Sequence, residues 1–260
     1  MTTLMVYAGS VADDARVTRT GGTPLVPDAF SWPSCRTCGG PMRFIALVML
    51  DDLGMGASRG MMLIFMCGNA PGMCEEWDAT SGGNQALIFA ADGRLVPAAV
   101  PADPAAMLDE VSAVQYVTVD ADYDDARAAW AEHECRPGGD VLGQLGGQPA
   151  WIQADETPAC AECGRPMGLV VQLEEGHDYR TAANFGGCGC GYGFACQPCG
   201  TAAFLWQCLQ SRTVSGVVVS TAGQASRLSR SIGAWLRSME WSRAAALASG
   251  ARMVRPARHP

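Results

Sequence analysis

Residues 35–50 read CRTCGGPMRFIALVML, and residues 160–175 read CAECGRPMGLVVQLEE. Each stretch is a cysteine pair two residues apart, then a glycine, a Pro-Met step and an apolar run. Setting residue n against n + 125 extends the match in both directions. Gly21, Gly22 and Pro24 fall on Gly146, Gly147 and Pro149, and Pro33 falls on Pro158. Cys35 and Cys38 fall on Cys160 and Cys163, and Gly39, Pro41 and Met42 on Gly164, Pro166 and Met167. No gap is needed over that span, and so many Gly, Pro and Cys agreements do not arise by chance. The chain reads as an internal duplication.

A second cysteine pair follows in each copy. Residues 61–74, MMLIFMCGNAPGMC, run a strand-like segment into Cys67 with Cys74 behind it; residues 189–199, GCGYGFACQPC, do the same with Cys196 and Cys199. NQALIF and TAAFLW then read as equivalent strands. Four thiolates in this order suit a tetrahedral zinc ion, because one tight turn presents both sulfurs of a CxxC to the same metal. A glycine directly after the second cysteine tolerates the positive φ such a turn requires. The spacing therefore predicts two structural Zn2+ ions, one on Cys35, Cys38, Cys67 and Cys74 and one on Cys160, Cys163, Cys196 and Cys199. With four sulfurs no coordination position is left for catalysis. The metal is expected to hold the fold, at about 10 kcal/mol per site.

A redox CxxC belongs at a helix start, where the dipole lowers the thiol pKa, but here Pro41 or Pro166 and a strand-like run follow. Cys188 and Cys190 offer alternative ligands to the second site, although the first copy has no counterpart for them. Cys135 with His133 forms an isolated HxC, and Cys208 in FLWQCLQ reads as a core thiol.

Composition bounds the rest. A 260-residue chain that is 48% hydrophobic and 17% charged is globular rather than disordered. Its longest apolar runs, FIALVML and MMLIFMC, are too short to cross a bilayer as helices. The first residues, MTTLMVYAGSVADDARV, lack the basic start of a secretion signal and meet acids early. The expected location is the cytoplasm, where twelve cysteines mean metal or redox chemistry rather than a disulfide framework. All 18 basic residues are Arg, a bias that fits a GC-rich genome.

Short β-rich runs separated by Gly and Pro predict a mainly β fold, a β-rich α+β architecture of two duplicated halves, each with a zinc-ribbon-like knuckle. The expected divisions are a first zinc-binding half over 1–95, a connector with an acidic helix over 96–139, a second zinc-binding half over 140–210 and a basic tail over 211–260. DADYDDARAAWAEHE (120–134) reads as the acidic helix, with a solvated carboxylate face. Residues 1–210 carry 10 Arg against 25 acids, a net −15, whereas 211–260 carry 8 Arg against one acid, a net +7. Within the tail, 225–249 predicts an amphipathic helix with Leu228, Ile232, Trp235, Leu236 and Met239 on one face. Its Arg face suits the acidic body of the same molecule, or an anionic partner such as nucleic acid or a membrane surface.

GGTPLVPDAFSWPSCRTCGGPMRFIA, CGNAPGMCEEWDATSGGNQALIF, LGGQPAWIQADETPACAECGRPM and QLEEGHDYRTAANFGG together resemble the bacterial YwqG-like proteins. The knuckle-strand-strand arrangement is also similar to the eukaryotic programmed cell death protein 2 group, implicated in ribosome biogenesis as a chaperone for a small-subunit ribosomal protein. The resemblance covers residues 18–208 and leaves out the basic tail. It implies a duplicated β-rich fold and a role in handling a protein client or in RNA-linked processes.

Two functional readings follow. One is a non-enzymatic, zinc-stabilised interaction module, a chaperone or adaptor for a basic client such as a ribosomal protein, since three histidines and no phosphate loop, nucleophile elbow or HExxH leave little catalytic vocabulary. The other is a hydrolytic or RNA-processing enzyme that uses acid clusters: Glu75, Glu76 and Asp78 with Asn84, and Glu174, Glu175, His177 and Asp178 with Asn184.

Overall fold

A computed structural model describes residues 1–53, 60–103, 106–108 and 110–209, with the backbone of 213–214 and 217–218. The predicted helix over 225–249 lies outside the described residues. Residues Met1–Leu209 form one compact unit.

In chain order the strands are β1 (Thr2–Tyr7), β2 (Arg19–Thr20), β3 (Leu25–Val26), β4 (Arg43–Met49), β5 (Gly60–Met66), β6 (Asn84–Ala90), β7 (Val96–Pro97) and β8 (Ser112–Val119). Helix α1 (Tyr123–Glu134) follows, then β9 (Val141–Leu145), β10 (Gly168–Glu174), β11 (Cys190–Cys196) and β12 (Thr201–Gln207). The fold is mainly β, as the alternating runs predict, with one α-helix among the described residues. In the C-terminal unit Thr213–Val214 pairs antiparallel with Val217–Val218.

One ten-stranded antiparallel sheet carries the unit, ordered β12-β11-β10-β9-β1-β8-β2-β4-β5-β6. The order is symmetric about the β1/β8 pair: counting outward, β9 matches β2, β10 matches β4, β11 matches β5 and β12 matches β6. Strands β4 and β10 begin at Arg43 and Gly168, which are 125 residues apart. Both carry a register shift at equivalent places, between Phe44 and Ala46 and between Leu169 and Val171. A bulge frees the carbonyl of the skipped residue from the ladder. Ile45 O and Val170 O accordingly accept from Gly21 N and Gly146 N, each at 2.8 Å. Those glycines have φ of 68° and 60°, a conformation costly for any residue with a Cβ.

Strand β5, GMMLIFM, is buried at every position because both its faces are covered. Met62, Ile64 and Met66 point into a central core with Ile45, Val48, Val171, Leu173 and Phe204 from the other strands. Met61, Leu63 and Phe65 point the other way, onto Phe44, Leu47 and the segment around Leu25 and Val26. In β11 the central-core face is small: a Cβ on Gly191 would meet the Phe204 ring at 2.6 Å, and one on Gly193 would meet Val171 at 3.0 Å. Its other face, Cys190, Tyr192, Phe194 and Cys196, packs with Ile152, Cys160 and Met167. The edge strands β6 and β12 face each other across the central core. Trp206 N donates to Trp77 O at 3.2 Å, and the two indoles stack edge to face. The sheet thus curls until its two ends meet.

Helix α1 is capped by Asp122, whose side chain accepts from Asp125 N at 3.1 Å, and ends at Cys135 in the left-handed region. Its acids face solvent, but Tyr123, Ala126 and Trp130 are buried against Leu4, Val6 and Val141.

Candidate metal centres

Each half brings four sulfurs together. Cys35, Cys38, Cys67 and Cys74 have Sγ atoms within 4.8 Å of one another, and so do Cys160, Cys163, Cys196 and Cys199. These are the eight cysteines expected from the spacing. Cys38 Sγ lies 3.7 Å from Cys67 Sγ, and Cys163 Sγ lies 3.7 Å from Cys196 Sγ. A tetrahedron of sulfurs about 2.3 Å from a central ion has edges of about 3.8 Å, so both clusters have the dimensions of a four-thiolate zinc site.

The turns that present them are alike. Cys35 N donates to Gly40 O at 2.9 Å and Cys160 N to Arg165 O at 2.8 Å. Gly39 N returns to Cys35 O at 2.9 Å, and Gly164 N to Cys160 O at 2.8 Å. Gly39 and Gly164 take φ of 73° and 70°, the positive values their position requires. Met42 N and Met167 N then bond Pro33 O and Pro158 O, each at 2.9 Å, and launch β4 and β10. The second pair of each site comes from the end of β5 or β11: Cys67 follows directly on β5, and Cys196 closes β11.

Four crowded thiols cannot all ionise alone. The Cys38 thiol is brought down to about 7, first by a backbone N–H bond from Gly40, while burial pushes Cys67 up and, with its three sulfur neighbours, Cys74 well up. In the second site the Thr201 hydroxyl, 3.3 Å from Cys160 Sγ, brings that thiol down to about 6. Cys199, hydrogen-bonded to the Cys163 and Cys196 sulfurs, is pushed up to about 12. Each cluster thus shares protons between easily and reluctantly ionised members. A divalent cation bound by all four would displace those protons and supply the missing positive charge.

The contacts around the sulfurs differ between the sites, and the cysteine spacing does not reveal them. Asn69 Nδ2 lies 3.5 Å from both Cys38 Sγ and Cys67 Sγ and donates to Pro41 O at 3.1 Å. It fits because position 40 is glycine: a Cβ there would meet Asn69 Nδ2 at 2.6 Å. The aligned residue in the second copy is Arg165, which lowers the Cys163 thiol by a side-chain hydrogen bond. The sequence signals are Gly40 against Arg165, and Asn69 against Pro198 two residues after the third cysteine of each set.

The remaining cysteines stand elsewhere. Cys190 pairs with Glu174 across β10 and β11, and its thiol donates to Glu174 Oε1 at 3.5 Å. The same carboxylate accepts from Tyr123 OH at 2.7 Å and pairs with Arg127 Nη1 at 3.1 Å, pinning α1 to the sheet. Cys188 is exposed at a φ of 65°. Cys135 caps α1, and His133 pairs with Glu134 instead.

Of the acid clusters, Glu76, Asp78 and Glu175 serve their own loops. Glu76 is buried and accepts from Gly72 N at 2.5 Å; Asp78 accepts from Thr80 and Ser81. Asn84 Nδ2 donates to the carbonyls of Glu76 and Asp78, each at 2.9 Å. Glu175 accepts from the backbone N–H groups of Phe185, Gly187 and Cys188, and Asn184 from that of Gly186. His177 stacks on Tyr7 with ring centroids 3.8 Å apart and sits 3.5 Å from Asp178. Among the described residues no helix is long and apolar enough to cross a membrane.

A family profile described as "Domain of unknown function (DUF1963)" matches residues 18–198. An uncharacterized protein, YpfL of Salmonella typhimurium, is 37% identical over 71 residues, which cover 26% of this chain and only 15% of that protein. No solved structure matches the chain.

Proposed function

Since the chain belongs to the DUF1963 family, a domain of unknown function, we propose its role from its own chemistry: a non-enzymatic interaction module, folded around two structural zinc ions, that acts as a chaperone or adaptor for a basic protein segment. The observation that carries this is the pair of four-sulfur clusters. Cys35, Cys38, Cys67 and Cys74 would hold one ion and Cys160, Cys163, Cys196 and Cys199 the other. Bound zinc would supply cross-links between the CxxC turns and the ends of β5 and β11. With all four positions taken by sulfur, it presents no site to a substrate.

The two halves derive, in this reading, from one duplicated knuckle-and-strand unit, and the 125-residue offset shared by Cys35/Cys160, Gly21/Gly146 and β4/β10 supports it. The client class rests on charge and on the resemblance to the programmed cell death protein 2 group. A net −15 over residues 1–210 attracts basic segments and repels nucleic acid. Carboxylates engaged by their own loops, as Glu175 is by three N–H groups, favour this reading over hydrolysis.

The test is affinity capture from native extract with the zinc-loaded full chain, followed by mass spectrometry of what is retained. Strongly basic proteins should be enriched and should wash off as salt rises. Retention with no bias toward basic proteins, or unaffected by salt, would overturn the proposal.

A further inference from the structure

The two sulfur clusters match in the backbone that builds them but not in what covers them. In the first, Cys35, Cys67 and Cys74 are buried and only Cys38 is exposed; in the second, Cys163 is exposed and Cys199 is partly exposed. The exposed sulfur of the first site has Asn69 over it, with one amide nitrogen shared between Cys38 and Cys67. At the exposed sulfur of the second site stands Arg165, itself an exposed side chain.

The chain after the last ligand differs too. Behind Cys74 a loop folds back over the first site. Arg36 N donates to Gly82 O at 3.1 Å and Cys67 N to Gly83 O at 2.8 Å. The fit is close enough that a Cβ on Gly82 would meet Arg36 Cδ at 2.4 Å, and one on Gly83 the Cys74 carbonyl at 2.2 Å. Behind Cys199 there is no such roof. Gly200 follows with open space around it, and β12 begins at Thr201.

We propose that the two centres differ in exchange: the Cys160 site is a labile zinc site that trades its metal with small chelating or thiol ligands, and the Cys35 site is a closed one. This rests on both clusters holding zinc. Substitution at a four-thiolate ion needs an incoming donor to reach the metal as one thiolate leaves and takes a proton from water; no oxidant is involved. Cys163 and Cys199 give two such approaches, whereas Cys38 gives one, with Asn69 across it. Groups that bond to ligand sulfurs tune metal retention about 10–100-fold in comparable sites. Gly40 leaves room for Asn69, whereas the second copy has Arg165 at the matching turn position and Pro198, without an amide side chain, two residues after Cys196.

The experiment uses the zinc-loaded full chain, the chromogenic chelator pyridylazo-resorcinol and iodoacetamide, with peptide mass spectrometry of the alkylated cysteines. Zinc should leave in two phases of one equivalent each, the first faster by about tenfold or more. Cys163 and Cys199 should be alkylated before Cys38. Asn69→Ala and Gly40→Arg should each speed the slow phase and leave the fast one unchanged. A single phase, or alkylation of the Cys35 set first, overturns the inference while leaving two structural zincs standing. A chain that carries fewer than two equivalents as purified overturns the zinc reading and this inference together.

Discussion

Arg19 and Gln144, 125 residues apart, do the same work with different groups: each donates a side-chain N–H to the carbonyl four residues on. Arg19 Nη2 reaches Thr23 O at 2.7 Å, and Gln144 Nε2 reaches Gln148 O at 3.0 Å. Both bonds brace the Gly-Gly turn that follows. Gln144 also meets Gln172, whereas Arg19 adds a bond to Asp13 O at 2.8 Å and keeps Nε and Nη1 buried without a partner.

A glutamine at position 19 should therefore do most of what the arginine does. Arg19→Leu leaves two carbonyls without their donor and should cost about 1–3 kcal/mol. Arg19→Gln keeps the Thr23 bond, sheds a poorly solvated charge and should cost less. Urea denaturation of both variants measures the difference; equal losses would show that the guanidinium itself is needed.

The turn glycines offer a test of backbone strain alone. Gly39 and Gly164 have positive φ, and nothing lies within 4 Å of a Cβ added to either. Gly39→Ala and Gly164→Ala should each cost about 1–2 kcal/mol, nearly equal at the two sites. Thermal melts of the zinc-loaded variants check it, and a loss at one site only would mean that the turns are not equivalent.

Ligand identity can be separated from proximity in sequence. Cys196→Ser should remove one of two zinc equivalents and destabilise the second half, whereas Cys188→Ser and Cys190→Ser should leave both equivalents bound. Cys190→Ser still donates to Glu174, so its stability should change little. Metal analysis of the purified variants reads all three.

Two tyrosines predict how stability ends at high pH. Burial, and then the carboxylates they donate to, raise Tyr116 (beside Asp52) and Tyr123 (beside Glu174) above the ordinary 10.0. The folded state therefore favours the neutral phenols. Their stabilisation is fully present below pH 10 and is lost as the pH rises beyond it. Unfolding at rising alkaline pH should be steep in the native chain and shallower in Tyr123→Phe, which should also lose about 1–2 kcal/mol at neutral pH with its hydrogen bond. An unchanged alkaline slope would mean that Tyr123 ionises freely in the folded protein.

What could be read from the sequence was whatever local chemistry dictates. Cysteine spacing gathers Cys35, Cys38, Cys67 and Cys74 because the turn and strand ends leave the thiols few other places, and Gly39 and Gly164 follow from the same turn. The pairing of β1 with β8 was not legible, since alternation in TTLMVY and SAVQYVTV shows that each is a strand but not which strand it meets. The acids of DADYDDARAAWAEHE point to a solvated face, as observed, yet conceal that Tyr123 and Arg127 converge on Glu174. Asn69 does not follow from the cysteine spacing, because its contact with sulfur depends on the absence of a side chain at Gly40.

The central strand pair has a consequence for how this chain comes into being. β1, made before both of its partners, lies between β8 and β9, which begin only at Ser112 and Val141; β8 in turn lies against β2. β1 of the first half pairs with β9 of the second, and β8, from the segment between them, pairs with β2 of the first. During vectorial synthesis the first seven residues must stay unpaired until well past the midpoint of this unit has emerged, so the nascent chain carries an apolar strand with no neighbour. Folding of this kind is slow because its decisive contacts join distant residues. An N-terminal fragment ending before Ser112 would expose both β1 and the edge of β2, and should aggregate where the complete unit remains in solution.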